Sequence, residues 1–302
     1  MKKFFTLFTA VLLTATAFGQ GEQLYADGSA TDQDGNTFEW INYGTQDWGI
    51  ENAEVVTYRD GTPIPQVADN TEWQSLTTGA WCYYNNDPTK GKLYNWYAVA
   101  GIHDNDPNTP NKEYAPEGWH VPSDAEWTTF ENYLIANGYN FDGTTTENKI
   151  AKAMASTTGW TDWNSQTYAG APGNDQSLNN DSGFNAFPEG IRSSPGNFFN
   201  EGSNAIFWSS SEHSISYAWS RYLSSDISSL SRYEDSGSKR GGFSVRFVRD
   251  ASSVGANGDI LLNGTISAEN NQIKNVADPT DAQDGATMSY VDSAIGNNSP
   301  TV

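Results

Sequence analysis

All eleven tryptophans of this chain fall between Trp40 and Trp219, whereas residues 251 to 302 hold a single aromatic side chain, Tyr290. Large rings carry much of the apolar area from which a core is built. The core must therefore form in the first stretch, and the Ala-, Asn-, Asp-, Gly- and Ser-rich remainder is too poor in such groups to build one alone. The sequence divides near residue 250 into one aromatic-rich domain, about 31 to 250, and an appendage, 251 to 302, that needs a partner surface. A lone cysteine, Cys82, excludes a disulfide framework, a multi-cysteine metal site and a CxxC redox pair. With 37 acidic against 16 basic residues the formal charge is −21, which argues against nucleic acid as a partner because phosphate binding needs clustered cations.

The first residues read as an address. Lys2 and Lys3 precede a mostly apolar run from Phe4 to Ala17, and Ala17-Phe18-Gly19 puts small residues where a signal peptidase reads. Cleavage before Gln20 is expected, with residues 1–19 removed, 20–30 serving as a linker, and the protein secreted or held at the cell surface. The run falls short of the ~20 residues that cross a bilayer, and no second such run follows, so no membrane span is expected.

Local patterns inside the domain are mixed. Asp34-Gly35 precedes Thr37-Phe38-Glu39-Trp40-Ile41, whose alternation suits the second strand of a hairpin. At 121–138, Ser123 and Glu126 stand in capping-box spacing, Trp127, Phe130 and Leu134 share a helical face, and Asn137-Gly138 supplies a stop. A second helix is expected from Thr144 to about Ser156, with Thr144 and Glu147 in the same capping register and Ile150, Ala153 and Met154 on one side. Gly-, Asn- and Ser-rich loops follow, and Gly242 to Val248 reads as a closing strand with Phe243, Val245 and Phe247 on one face, packed against the first helix. Two helices followed by loops and late strands predict an α+β fold.

Seven segments then carry a resemblance: DGNTFEWINYGTQDWGIENA (34–53), RDGTPIPQVADNTEWQSLTTGAWCYYNND (59–87), GKLYNWYAV (91–99), APEGWHVPSDAEW (115–127), SGFNAFPEGIR (182–192), FWSSSE (207–212) and GFSVRFVRD (242–250). In this order they resemble the Fibrobacter succinogenes major paralogous domain, a family of exported bacterial proteins, over about 31 to 250. That family in turn resembles the C-type lectin-like fold of formylglycine-generating enzymes, through Pro122 to Trp127 and Gly242 to Arg246. The resemblance implies a lectin-like arrangement of two helices, short antiparallel strands and long loops. It does not bring the oxidase chemistry, which depends on cysteines that this chain lacks. Cys82 between Trp81 and Tyr83 reads as a small buried hydrophobe in a strand. His103, His120 and His213 are scattered, His120 reading as structural and His213 as a surface side chain on a binding loop. No catalytic residue is assigned, although sequence alone leaves open whether Glu189, Glu201, Glu212 and Asp226 approach one another as a glycosidase pair would.

Two loops offer oxygen ligands at alternate positions: Asp104, Asp106 and Asn108, and Asp32, Asp34 and Asn36. Each is either a calcium loop or a solvated turn; neither ends in the bidentate Glu of an EF-hand, and the sugar-binding calcium motifs of C-type lectins are missing. No other cofactor is expected. The stretch from Trp208 to Arg240 holds 13 Ser between Ser209 and Ser238, interleaved with Glu212, His213, Tyr217, Trp219, Arg221, Tyr222, Asp226, Arg232 and Tyr233. Such composition suits an adaptable binding surface, and equally a solvated loop with some rings buried. The segment also resembles the variable region of C-type lectin-like proteins diversified by retroelements. These nine residues are the candidate ligand contacts, and the expected ligand is a glycan or a surface protein.

Residues 258–295 resemble a repeat of phage tail fibres, through Gln272 to Pro279 and Gln283 to Asp292. Met288, Val291 and Ile295 fit the start of a helix seam, so the appendage is either a stalk that forms a homotrimer or a linker. The function expected from the whole sequence is an exported, non-enzymatic recognition module; a structural fibre or adhesion subunit, and an enzyme of the same fold, are the alternatives.

Overall fold

Alternation in the Thr37–Tyr43 stretch produces the expected hairpin. In the computed structural model, which describes residues 26–163, 168–233, 238–251, 253–254 and 260–261, β1 (Gly28–Thr31) pairs antiparallel with β2 (Thr37–Tyr43). Asp32 closes the turn by accepting hydrogen bonds from the backbone N–H groups of Asp34 and Asn36, both at 2.9 Å. Gly35 there takes φ 87°, a conformation costly to most side chains. β3 (Gln46–Gly49) extends the sheet, pairing antiparallel with β2.

Next come α1 (Asn70–Gln74), capped by Asp69, then β4 (Trp81–Tyr83) paired with β5 (Lys92–Tyr94), then α2 (Trp96–Val99). Cys82 is fully buried in β4, as a small apolar residue would be.

α3 (Asp124–Ala136) is the longest helix described, and its start follows the sequence. Ser123 accepts a hydrogen bond from the Glu126 N–H at 3.2 Å while the Glu126 carboxylate accepts one from the Ser123 N–H at 2.7 Å. Trp127, Phe130 and Leu134 are all buried.

The second helix is shorter than its sequence implies, since α4 covers only Ala151–Met154. Glu147 takes φ 63°, which a right-handed helix cannot contain. The side-chain amide of Asn140 donates to the carbonyls of Thr146 (3.0 Å) and Glu147 (3.1 Å), and Thr144 bonds Asp142 instead of capping a helix. Ile150, Ala153 and Met154 nevertheless reach the core.

Beyond α4 lie β6 (Ile191–Arg192) paired with β7 (Phe198–Phe199), then a three-stranded antiparallel sheet of β8 (Asn204–Glu212), β9 (Ala218–Ser224) and β10 (Ser231–Tyr233), in the order β10-β9-β8. Finally β11 (Val248–Asp250) pairs with β3, so the first sheet reads β1-β2-β3-β11. The arrangement is α+β, with antiparallel sheets and few helices.

Among the described residues three apolar clusters result, the smallest built from Val67, Trp73, Ala80, Cys82 and Leu93; the other two are the main cores. One gathers Phe38, Tyr94, Trp96, Trp119, Trp208, Phe243, Val245 and Phe247; the other gathers Tyr43, Trp48, Trp127, Phe130, Leu134, Phe184, Phe207 and Leu223. The expected packing of Phe243, Val245 and Phe247 against α3 is therefore corrected: they belong to the other core. Nor do residues 243–247 form a regular strand; they run between isolated bridges, Tyr94 with Phe243 and Phe207 with Ser244. Both of their faces are buried, because Ser244 and Arg246 are as inaccessible as the rings. Arg246 donates to Asn52 Oδ1 (2.8 Å) and to the carbonyls of Gly49, Phe184 and Asn185, and its guanidinium lies 4.6 Å from the Phe184 ring centroid. Burial lowers its pKa to about 10, still high enough to keep the charge at neutral pH. One side chain thus ties the closing segment to two others, 49–52 and 184–185.

The chain divides into two units, residues 1–251 and 252–302. In the second, β12 (Ser253–Val254) pairs antiparallel with β13 (Ile260–Leu261). The expected signal segment, the Met288-Val291-Ile295 seam and nearly all of the 258–295 repeat lie outside the described residues. Among the described residues, no helix is long and apolar enough to cross a membrane.

Candidate functional site

The Ser-rich stretch enters through β8, where Phe207 and Trp208 point into different cores and hold the strand between them. Trp208 Nε1 donates to the Tyr94 carbonyl at 2.8 Å. The pairing of β8 with β9 then shifts register between Trp208 and Glu212. The serines in this irregular part dock α2 and α3. The Ser209 carbonyl accepts from Trp96 Nε1 (3.0 Å), the Ser210 N–H donates to the Pro122 carbonyl (2.9 Å), and Ser211 Oγ accepts from the Asp124 N–H (3.0 Å). Backbone groups and one hydroxyl here serve packing.

β9 puts alternate side chains on opposite faces. Leu223 enters the core that holds α3, while Ala218 and Tyr222 meet the other. Arg221, expected as a ligand anchor, is corrected to a buried structural residue with 1% relative exposure. Its guanidinium bonds the Asp124 carboxylate at 2.5 Å, the Asp124 carbonyl at 3.2 Å and Thr128 Oγ1 at 3.2 Å. A charge read from sequence as a surface group is neutralised by a helix 97 positions away.

Arg232 lies opposite Arg221 in the pairing of β10 with β9. It grips the same carboxylate in a fork, Nε to Oδ1 at 3.0 Å and Nη2 to Oδ2 at 2.6 Å. Asp124 stands in the first turn of α3, where the helix dipole also favours a negative charge. Burial opposes ionisation of Asp124, but the hydrogen bonds from Arg232 and Arg221 outweigh it and hold the carboxyl below its ordinary range. The guanidinium of Arg232 also stacks on Trp219, and His213 meets that indole edge-on with centroids 4.5 Å apart. His213, Trp219 and Arg232 form one contiguous patch, with His213 and Arg232 exposed and Trp219 half-buried.

On the opposite face of the ribbon, Tyr222 and Tyr233 meet at 5.5 Å, with Tyr233 exposed and Tyr222 half-buried. Tyr217 is exposed at the end of the 213–217 turn, whose Ile215 is 91% exposed. Glu212 pairs with Lys239, which also donates to the Ile215 carbonyl at 3.1 Å and lies 4.7 Å from the Trp96 ring. That pair fixes the base of the turn. Asp226 accepts from Ser224 Oγ at 2.5 Å and faces a separate cleft.

The remaining chemistry-bearing groups are dispersed. Glu189 lies near Glu201 and Glu54, with Lys90 bonded to Glu201 at 2.5 Å; burial pushes the Glu189 carboxyl up, and its acidic neighbours add to that. Glu212 and Asp226 have the other partners just described, so the four carboxylates do not gather. His120 binds Glu126 at 2.5 Å beside the capping box, a structural position, whereas His103 lies 3.3 Å from Asp104. In the 104–108 loop, Asp104 and Asp106 accept the backbone N–H groups of Asp106 and Asn108 at 2.9 Å. Asp34, in the other loop, accepts from Val56 and Thr57. Among the described residues, no three His, Cys, Asp or Glu side chains stand together as a metal site.

Sequence reasoning missed a cleft of about 820 Å³ bordered by residues 139–141, 152–157 and 177–185. Its polar residues are scattered along the chain, and no motif announces them.

The family model described as the Fibrobacter succinogenes major domain matches residues 41–249. No curated protein and no solved structure matches the chain.

Proposed function

The chain belongs to the Fibrobacter succinogenes major domain family, and we propose that it acts as an exported, non-enzymatic recognition module whose β9–β10 ribbon binds a surface protein. The observation that carries this reading is the Trp219–Arg232 stack, fixed by Asp124 and met by exposed His213, with exposed Tyr217 at the adjoining turn and exposed Tyr233 on the other face of the same ribbon. Aromatic and Arg side chains dominate binding hot spots, and rings held before binding lose little freedom in the complex. Of the two expected ligand classes, a protein suits the ribbon better, because its rings line none of the four clefts described in this molecule. The capped helix after Pro122 and the Gly242–Arg246 closure support a C-type lectin-like arrangement of the domain. The 258–295 repeat supports a stalk, and the N-terminal address supports export.

A non-enzymatic role agrees with the state of Cys82. Burial pushes its thiol pKa up to about 11, which suits a core side chain and opposes a thiolate nucleophile. The test is binding of the full chain to an array of bacterial and host surface proteins. Tyr217→Ala and Tyr233→Ala should each weaken a detected interaction by about 1–3 kcal/mol, the scale of interface anchors, with melting unchanged. Binding that survives both substitutions in folded protein would move the site off the ribbon.

A further inference from the structure

The cleft at 139–185 lies next to a second, of about 420 Å³, and the two share Phe141 and Ala169. Phe141 is 43% exposed yet firmly seated: a Cβ added at Gly170 would come within 2.1 Å of its ring, so the ring rests directly on that glycine's backbone. Tyr168, 38% exposed, walls the second cleft and meets Trp163 at 5.7 Å; Trp163 is itself held by a hydrogen bond to Ser225 Oγ at 3.1 Å. Leu178, 65% exposed, stands at the edge of the larger cleft. Flat aromatic surfaces therefore stand at the junction and along the second cleft.

The polar lining is rich in acceptors. Glu39, Asp181 and Asp226 supply carboxylates, which accept hydrogen bonds only, and Asn180 and Asn185 supply amides that both donate and accept. The cation of the larger cleft, Lys152, is already occupied by the carbonyls of Asn174 and Asp175 and by Asn179 Oδ1. Among the described lining residues, an anionic ligand would meet three carboxylates and no ammonium other than the engaged Lys152. A ligand suited to this lining carries many O–H donors, no negative charge, and an apolar face for each ring. Pyranose rings in a neutral chain have all three properties, and the clefts have the size of ligand pockets.

We propose that the joined clefts around Phe141 form a binding site for a neutral oligosaccharide, separate from the protein-binding ribbon and independent of that assignment. Phe141 and Tyr168 are its stacking platforms; Asp181, Asn180 and Asn185 are its hydroxyl-binding groups.

Affinity electrophoresis of the full chain through gels containing mixed-linkage β-glucan, galactomannan, polygalacturonate or chitosan tests this. At least one neutral polymer should retard the protein. Phe141→Ala and Tyr168→Ala should each raise the apparent Kd at least tenfold, and Tyr217→Ala/Tyr233→Ala should leave it unchanged. If Phe141→Ala alters the melt, Tyr168→Ala and Asp181→Ala, both at exposed positions, decide the matter. Retardation by neither neutral polymer, by polygalacturonate or chitosan alone, or equally in wild type and folded variants, would overturn the proposal. Loss of retardation in the ribbon variant would overturn the separation of the two sites while leaving protein binding to its own assay.

Discussion

The guanidinium carbon of Arg232 lies 3.5 Å from the ring centroid of Trp219, and the same guanidinium is forked onto Asp124. A flexible exposed side chain is thereby fixed from below by an indole and from one end by a helix. Asp124 is the shared element, since it also neutralises buried Arg221.

Asp124→Ala should therefore destabilise the domain by about 3–5 kcal/mol, the cost of leaving a buried charge without its partner. Arg232→Ala, which removes a half-exposed group, should cost about 1 kcal/mol or less. Denaturant melts of the two variants check the difference, and equal losses would show that Arg221 does not depend on Asp124.

Trp127→Ala should cost about 3–5 kcal/mol, because the side chain is fully buried against Trp48, Phe184 and Phe207. Tyr217→Ala should stay within about 0.5 kcal/mol, as exposed positions do. A small loss at Trp127 would contradict its place in the core.

His120 and Glu126 make stability depend on pH in opposite senses. The hydrogen bond to Glu126 raises the His120 pKa, so its contribution is complete below the unfolded value of about 6.5 and is lost as pH rises through the folded value. For Glu126, burial works against ionisation, but the bonds from His120 and Ser123 prevail and lower the pKa; its contribution is present above the unfolded value of about 4.5 and is lost as pH falls through the folded one. His120→Gln should thus destabilise the protein at pH 6, and the gap to wild type should narrow by pH 9. A gap of constant size across that range would contradict the ion pair.

Cys82 should resist a thiol reagent such as dithiobis-nitrobenzoate in the folded protein and react fully in guanidinium, given its complete burial and raised pKa. Rapid labelling under native conditions would show that β4 and β5 open.

Short-range signals were legible in the sequence. Ser123 and Glu126 are neighbours whose capping box depends on nothing remote, and the alternation from Thr37 to Trp40 matched a strand, although Ile41 and Tyr43 bury its other face as well. Competition from side chains outside the element itself was not legible. The expected helix at Thr144 loses its first turns to the Asn140 amide, and the strand expected at Phe243 is buried on both faces, so its alternation marks no solvent side. Arg221 could be recognised as structural only by knowing that Asp124 faces it. In the 209–233 stretch, composition located exposed rings but could not separate Tyr233, on the surface, from Ser211, which docks α3. The Phe141 clefts gave no pattern at all, because their groups come from distant loops.

The pairing of β11 with β3 sets Val248 beside Trp48. As a ribosome or an export channel releases the chain N-terminus first, the sheet holds an unsatisfied edge until nearly the whole domain has emerged. Contacts of such long sequence separation slow folding, and here they postpone completion to the final strand. A nascent chain stopped before Val248 lacks that strand and the last link to β3, so it stays open to proteases and to capture by other unpaired strands. Under the export proposed above, late closure would have a use, because a domain whose sheet waits for its final strand is slow to lock before delivery.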